Sequence, residues 1–222
     1  MTSYFRHTLK DQTLWLSADR CLFWEDQQVL VVSDLHLGKT GHFRKAGIPV
    51  PQQLYVEDLQ RLVSQLQYFR AGRLLIVGDL FHSHFNKELD LFRRWRDDFP
   101  ALEIHLVKGN HDILQEDWYR ASGIRTWEQE LELGPFLFRH DLEAGAGESA
   151  QRKDVYLFSG HIHPGISLHG MGKQSLRFPC FYFTDQFCVL PAFGRFTGTY
   201  RVEPRRRENV FAIVENKILQ VQ

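Results

Sequence analysis

Short apolar runs, with two longer amphipathic stretches between them, set the pattern of the first half of the chain. The runs at 29–33, 74–78 and 103–107 are rich in Leu, Ile and Val and are followed by polar residues, which predicts buried strands. Residues 52–69 and 86–99 carry apolar side chains at helical spacing, so we expect one helix in each stretch. Strands that alternate with helices predict βαβ units in a parallel sheet.

The rest of the chain is richer in strand signals than in helix signals. Two short strands are expected before residue 29, and further strands within 136–141 and 154–165. From Ser175 onward Phe, Val and Tyr alternate with turns, and residues 210–221 read as a hairpin. These patterns predict an α/β fold in which two mixed sheets stack face to face with helices on the outside.

Composition limits the class of protein. The chain has 222 residues, of which 43% are hydrophobic, so we expect one domain spanning 1–222. Its 27 Lys and Arg balance its 27 Asp and Glu, which excludes a strongly basic nucleic-acid binder. The three cysteines are scattered without a CxxC pair, and Cys21 and Cys180 are expected to pack as small apolar residues. No leader pattern or bilayer-length apolar run is present, so a cytoplasmic protein without membrane contact is expected.

Polar residues of metal-binding type follow five of the predicted strands. They are Asp34, His36, Asp79, Asn110, His111, Asp112, His140, His161 and His163. In an extended segment, residues two apart point to the same side, so Asp34 and His36 are expected to face one centre, as are His161 and His163. A single histidine at a strand end is usually a turn or core residue, but five such ends together indicate a site. Carboxylate, imidazole and amide ligands suit Mn²⁺, Fe or Zn²⁺ better than Ca²⁺ or Mg²⁺.

The order and spacing of these residues resemble the calcineurin-like metallophosphoesterase superfamily. Its blocks D-x-H, G-D, G-N-H-D/E, H and G-H-x-H all occur in order between residues 34 and 163. The resemblance implies a four-layer αββα sandwich and a catalytic centre that holds two divalent metal ions, with Mn expected and Fe or Zn as alternatives. The implied ligands of the two ions are Asp34, His36 and His163 for one, Asn110, His140 and His161 for the other, and Asp79 as the bridge.

The same resemblance assigns the two residues of the third block that are not ligands. His111 is expected beside the scissile phosphate, where it would protonate the leaving group. Asp112 is expected to orient His111.

Two further stretches resemble a narrower family, the bacterial ligase-associated DNA damage response endonucleases. They are DLHLGKTGHFRKAGIPVP at 34–51 and LPAFGRFTG at 190–198. The resemblance implies a DNA-repair endonuclease that hydrolyses phosphodiester bonds of DNA. It also implies three partner proteins: an ATP-dependent DNA ligase, a DEXH-box helicase and a β-lactamase-like nuclease.

Basic residues near these motifs are candidates for substrate binding. They are Lys39, His42, Arg44, His82, Arg177 and Arg195, with Arg201 and the 205–207 arginines as further phosphate contacts. A solvated loop or turn is the alternative for each of them.

Two other functions stay open at this point. A phosphoesterase for nucleotides or other small phosphorylated molecules would need a deep, narrow pocket, whereas DNA needs an open groove. A metal-free scaffold protein would have lost metal ligands, and the set here is complete. The sequence leaves endo- versus exonucleolytic cleavage and the oligomeric state undecided.

Overall fold

The computed structural model describes residues 2–37, 53–81, 87–143, 154–170 and 174–222. Within these ranges the strands form two sheets. The first sheet contains, in spatial order, β1 Tyr4–Leu9, β2 Gln12–Ser17, β3 Cys21–Trp24, β4 Val29–Ser33, β5 Arg73–Val77, β6 Glu103–Val107 and β7 Ile124–Trp127. The second contains β8 Glu130–Leu133, β9 Phe136–Arg139, β10 Tyr156–Ser159, β11 Pro164–His169, β12 Ser175–Phe183, β13 Phe187–Val189, β14 Tyr200–Arg201, β15 Asn209–Val214 and β16 Lys217–Gln220. The described helices are α1 Gln53–Phe69, α2 Lys87–Asp97 and α3 Glu116–Ala121, with a 3-10 turn at Glu25–Gln27.

Both sheets are mixed. In the first, β1 to β4 pair antiparallel and β4 to β7 pair parallel, which brings the carboxyl ends of β4, β5 and β6 to one edge. In the second, β10 lies between β9 and β13 and is parallel to both. Parallel strands deliver the residues that follow them to a common edge, which is where a ligand site is expected in such sheets.

The central strands β4, β5 and β6 are buried over nearly their whole length because both of their faces are covered. Leu30 and Val32 of β4 pack with the helices, whereas Val29 and Val31 pack in the layer between the two sheets. That inner layer also takes the aromatic rings of the second sheet, such as Phe138. The covered faces explain why these strands lack the apolar–polar alternation of a half-exposed sheet.

The predicted sandwich of two mixed sheets with outer helices is confirmed. The three described helices all pack on the outer face of the first sheet. The helix predicted at 86–99 ends at Asp97, and the start of the 52–69 helix is described from Gln53. Strands β1, β7 and β8 and helix α3 were not predicted. All three cysteines are buried and free, which agrees with packing as apolar side chains. Among the described helices, none combines the length and apolarity needed to cross a bilayer.

Candidate metal centre

Residues that follow strands of both sheets converge on one place. The structure brings six of the seven predicted ligands into two groups, in each of which the ligand atoms lie within 4.8 Å of one another. The groups are Asp34, His36 and His163, and Asp79, His140 and His161. Each group therefore combines residues of the first sheet with at least one residue of the second, so the stacking of the sheets builds the site.

The separations within the groups suit a divalent cation. In the first, Nε2 of His163 lies 3.1 Å from Oδ1 of Asp34 and 3.3 Å from Nε2 of His36. In the second, Nε2 of His140 lies 3.2 Å from Nδ1 of His161 and 3.5 Å from Oδ2 of Asp79. Two ligand atoms about 2.1 Å from one ion, at 90° to 109°, would lie about 3.0–3.4 Å apart. The shorter observed separations fall in this range, so the groups fit metal ions.

Asp79 lies between the two groups. Its Oδ2 is 3.8 Å from Nε2 of His36, in one group, and 3.5 Å from Nε2 of His140, in the other. Its Oδ1 accepts a hydrogen bond of 2.9 Å from the backbone N–H of His111. One oxygen of Asp79 thus faces both groups while the other fixes the carboxylate, which is the arrangement a bridging ligand needs.

The carboxylate of Asp34 is buried with one oxygen left for a cation. Oδ2 accepts the His161 N–H at 3.1 Å and contacts the Ser33 hydroxyl. Oδ1 is fully buried without a hydrogen-bond donor and faces His163. Burial raises the pKa of Asp34, but the neighbouring histidines hold it below its usual value. A buried anionic oxygen without a donor is costly unless a cation neutralises it, so this atom also fits a metal ion.

His140 is oriented toward the centre by a backbone contact. Its Nδ1 lies 3.1 Å from the Val77 carbonyl oxygen, which places the ring proton on Nδ1 and leaves Nε2 facing Asp79. Burial lowers the pKa of His140, but the hydrogen bond to Asp79 and the charges of Asp34 and Asp79 raise it to about 9. The same negative field that favours a proton on His140 would favour a metal ion.

Five of the ligand residues have left-handed backbone conformations, whereas the sequence predicted extended segments. Positive φ angles occur at Asp34, His36, Asp79, His161 and His163, at 53°, 49°, 53°, 70° and 51°. Asp34 and His36 still lie in one group, as expected, whereas His161 and His163 fall in different groups, so a two-residue spacing does not by itself decide the grouping. Non-glycine residues in this region cost on the order of 1–3 kcal/mol each and cluster at functional sites.

The loop at 190–194 holds the strained segment around Asp34. The Phe193 N–H donates to the Ser33 carbonyl at 2.7 Å, and the Gly194 N–H donates to the Asp34 carbonyl at 3.1 Å. A Cβ on Gly194 would lie 2.6 Å from the Leu35 carbonyl oxygen, so this approach requires glycine. Buried Arg61 bonds to the Phe193 carbonyl and thereby ties the loop to α1. This explains in physical terms the L-P-A-F-G motif that the sequence offered only as a similarity.

Glycines of the ligand motifs leave room for neighbouring ligands. A Cβ at Gly78 would lie 2.0 Å from Nδ1 of His140, and one at Gly109 would lie 2.3 Å from Oδ1 of Asp79. Both distances are shorter than any real contact, so the two motifs need glycine before their functional residue.

Asn110 and His111 lie at the edge of the centre. The His111 ring is half-buried, and its centroid is 5.6 Å from that of His36. It belongs to neither ligand group, which agrees with a role beside the ions. Asn110 is exposed, between Gly109 and His111, and its assignment as a ligand stays a prediction.

Asp112 has a different set of contacts from the one predicted. Its Oδ2 accepts the N–H groups of Asp79 at 2.7 Å and Gly109 at 2.9 Å. Its Oδ1 accepts those of Leu80 at 2.9 Å and Phe81 at 3.4 Å. Burial raises the pKa of Asp112 to about 7, although these donors oppose the rise. Four backbone donors bond to its two oxygens, so Asp112 holds the turn that carries Asp79, and the expectation that it orients His111 stays a prediction.

The predicted substrate-binding residues are only partly described. Lys39, His42, Arg44 and His82 lie outside the described residues. Arg177 and Arg195 are exposed. The Arg177 guanidinium donates to the Thr199 carbonyl at 3.1 Å, and the Arg195 backbone N–H donates to buried Asp58 at 3.3 Å. Substrate contact by either arginine stays a prediction.

Comparison with known proteins agrees with this geometry. The chain is similar over 99% of its length, and over 100% of the other, to the crystal structure of nuclease MPE from Pseudomonas putida, with a TM-score of 0.82 and 26% sequence identity. Yfce, a phosphoesterase from E. coli, matches 87% of this chain and 97% of its own with a TM-score of 0.47 and 15% identity. No curated protein sequence gives a match. The family model of the calcineurin-like phosphoesterases matches residues 28–187, a span that contains all six grouped ligands. The chain therefore belongs to the calcineurin-like phosphoesterase family.

Proposed function

We propose that this metal-dependent phosphoesterase is a nuclease that hydrolyses phosphodiester bonds of DNA as part of DNA repair, with Mn²⁺ as its metal and Fe or Zn as alternatives. One observation carries the proposal: two ligand groups that adjoin at Oδ2 of Asp79, in a chain whose fold matches a nuclease along its whole length. The groups would hold two ions, and such ions supply charge neutralisation and an activated nucleophile for phosphoryl transfer.

The protein side chains have separate tasks in this proposal. Asp34 and Asp79 remain ionised in the buried centre, where burial raises each pKa but histidine contacts lower it below the usual value. His111, whose backbone N–H donates to Asp79, would give a proton to the leaving oxygen. Asp112 and the loop at 190–194 keep the ligand backbones in their left-handed conformations.

The test compares substrates with one enzyme preparation. Protein stripped with chelator and reloaded with Mn²⁺ is given closed circular single-stranded DNA, linear duplex DNA, bis-p-nitrophenyl phosphate and p-nitrophenyl phosphate. We expect cleavage of the circle, which only an endonuclease can cut, and hydrolysis of the diester above the monoester. The Asp79→Asn variant, purified in parallel, controls for contaminating nuclease and is expected to be inactive.

Hydrolysis of the small esters without cleavage of any DNA would contradict the nuclease proposal and favour a small phosphorylated substrate. Cytoplasmic location stays a prediction from the sequence. Association with an ATP-dependent DNA ligase, a DEXH-box helicase and a β-lactamase-like nuclease stays a prediction from the family resemblance. Co-purification of the tagged protein with each of the three would test the association.

A further inference from the structure

A groove of about 710 Å³ opens beside the metal centre. We call it the side groove, and its wall includes Leu142, Ile162, Arg177, Tyr182, Tyr200 and Arg201. Ile162 stands between the grouped histidines His161 and His163 in the chain, so the groove adjoins the segment that carries these two ligands. A polymer bound at the centre therefore has a path along the outer side of the second sheet.

The wall that contains Tyr200 is hydrogen-bonded to the segment that carries His163. The two-residue strand β14 pairs in parallel with the start of β11, and the Tyr200 N–H donates to the His163 carbonyl at 2.9 Å. The next bond of the same pairing, from Val202 to the Gly165 carbonyl, is also 2.9 Å. The backbone under Tyr200 is thus held by the same segment that supplies a metal ligand.

Tyr200 carries a large ring that faces solvent. Its relative exposure is 66%, although its backbone lies in a paired strand. A phenol ring left in water on a fixed backbone contributes little to folding, but it offers a flat face on which a base can stack. Aromatic faces of this kind, next to cationic side chains, are how proteins bind single strands without sequence preference.

Two arginines supply positive charge to the same groove. Arg177 of β12 is fixed across β11 by the bond that its guanidinium donates to the Thr199 carbonyl at 3.1 Å. A Cβ at Gly165 would lie 2.7 Å from Cβ of Thr199 and 3.0 Å from Cγ of Arg177, so glycine permits this packing. Nη2 of Arg201 lies 3.5 Å from Oε1 of Glu203, and both side chains are exposed. Such an ion pair is weak, so a phosphate can replace the Glu203 carboxylate as the partner of Arg201.

We propose that the side groove binds the single strand of DNA that leads away from the scissile phosphate, with a base stacked on Tyr200 and phosphates at Arg177 and Arg201. This inference rests on the proposed nuclease function. It selects single strands because the bases of a duplex are stacked on one another and cannot lie on the ring.

The experiment uses the Mn²⁺-loaded enzyme and one reporter reaction. Hydrolysis of bis-p-nitrophenyl phosphate is measured while oligothymidylate of 20 residues is added as a competitor, which gives an inhibition constant for the strand. The variants are Tyr200→Ala, Tyr200→Phe and Arg201→Ala, with Arg94→Ala as the matched control. Arg94 is an exposed arginine of α2, outside the groove wall. All four changes leave the backbone bonds of β14 in place.

We expect Tyr200→Ala to raise the inhibition constant by about 5- to 150-fold, the range for one stacked base, and Tyr200→Phe to stay near wild type. Arg201→Ala should reduce the slope of log affinity against log salt by about 0.7, and Arg94→Ala should leave the slope unchanged. Reporter hydrolysis without DNA should be the same for all variants.

Two results would overturn the side-groove proposal and leave the nuclease function intact. One is an inhibition constant for oligothymidylate in Tyr200→Ala that equals the wild-type value. The other is an equal effect of Arg201→Ala and Arg94→Ala on the salt slope. If wild-type enzyme hydrolyses the reporter but is neither inhibited by DNA nor able to cut it, the proposed function fails, and the side groove as a DNA site fails with it.

Discussion

Replacing Asp112 with Asn tests whether this carboxylate holds the backbone of the metal centre. The change keeps the size of the side chain, but one acceptor oxygen becomes an NH₂ donor. The amide oxygen can keep the two shorter bonds, to Asp79 and Gly109 at 2.7 and 2.9 Å. The N–H groups of Leu80 and Phe81 then face a donor and lose their acceptor.

The expected loss follows from these two donors. A buried donor left without an acceptor costs about 1–3 kcal/mol, so Asp112→Asn should lower the free energy of unfolding by about 2–6 kcal/mol. For a chain of this length each kcal/mol lowers Tm by about 2–4 °C, which makes a fall of at least about 4 °C. Because the turn carries Asp79, the affinity for Mn²⁺ should fall as well.

The assay is thermal unfolding of metal-free protein at pH 8, followed by titration with Mn²⁺. Asp117→Asn is the matched control, because Asp117 is an exposed acid whose side chain pairs only with exposed Arg120 across one turn of α3 among the described contacts. Surface changes of this kind usually stay within about 0.5 kcal/mol. A Tm and a Mn²⁺ affinity of Asp112→Asn that match those of Asp117→Asn would refute the backbone-holding role.

Three further predictions concern the centre. Gly194→Ala places a Cβ 2.6 Å from the Leu35 carbonyl, so we expect a stability loss of about 1–3 kcal/mol and weaker metal binding, measured by unfolding and by metal analysis. Asp79→Ala should leave activity near background and metal content well below two ions per chain; retention of two tightly bound ions would contradict the bridge. His111→Ala should keep its metal and lose about 10²- to 10⁴-fold in turnover. That loss should be smaller for p-nitrophenolate esters, whose leaving group needs little protonation. An equal loss for substrates with good and with poor leaving groups would indicate charge stabilisation instead of proton transfer.

The main strands could be predicted because they form short apolar runs, and the two longer helices because their apolar residues recur at helical spacing. Strand β4 is apolar up to Ser33 and β5 is apolar after Arg73, and α1 repeats apolar residues over 17 positions. Helix α3 has only six residues, too few for a periodic signal. Strand β1 is mostly half-exposed and contains no apolar run, although it pairs with its neighbour in sequence, β2.

The identity of the candidate metal ligands could be predicted from the sequence, but their backbone conformation could not. Their types and positions after strands are local features, whereas the left-handed φ angles of Asp34 and His163 are imposed by contacts from distant parts of the chain. The Gly194 bond to Asp34 spans 160 residues, and no local pattern announces it. The contacts of Asp112 could not be predicted for the same reason, because three of its four backbone donors lie about 30 residues earlier in the chain, at 79–81.

The most direct measurement is anomalous X-ray scattering at the manganese absorption edge from crystals grown with Mn²⁺. We expect two peaks, one among Asp34, His36 and His163 and one among Asp79, His140 and His161, with Asp79 in contact with both. A single peak, or two peaks of which only one touches Asp79, would contradict a two-metal centre bridged by this carboxylate.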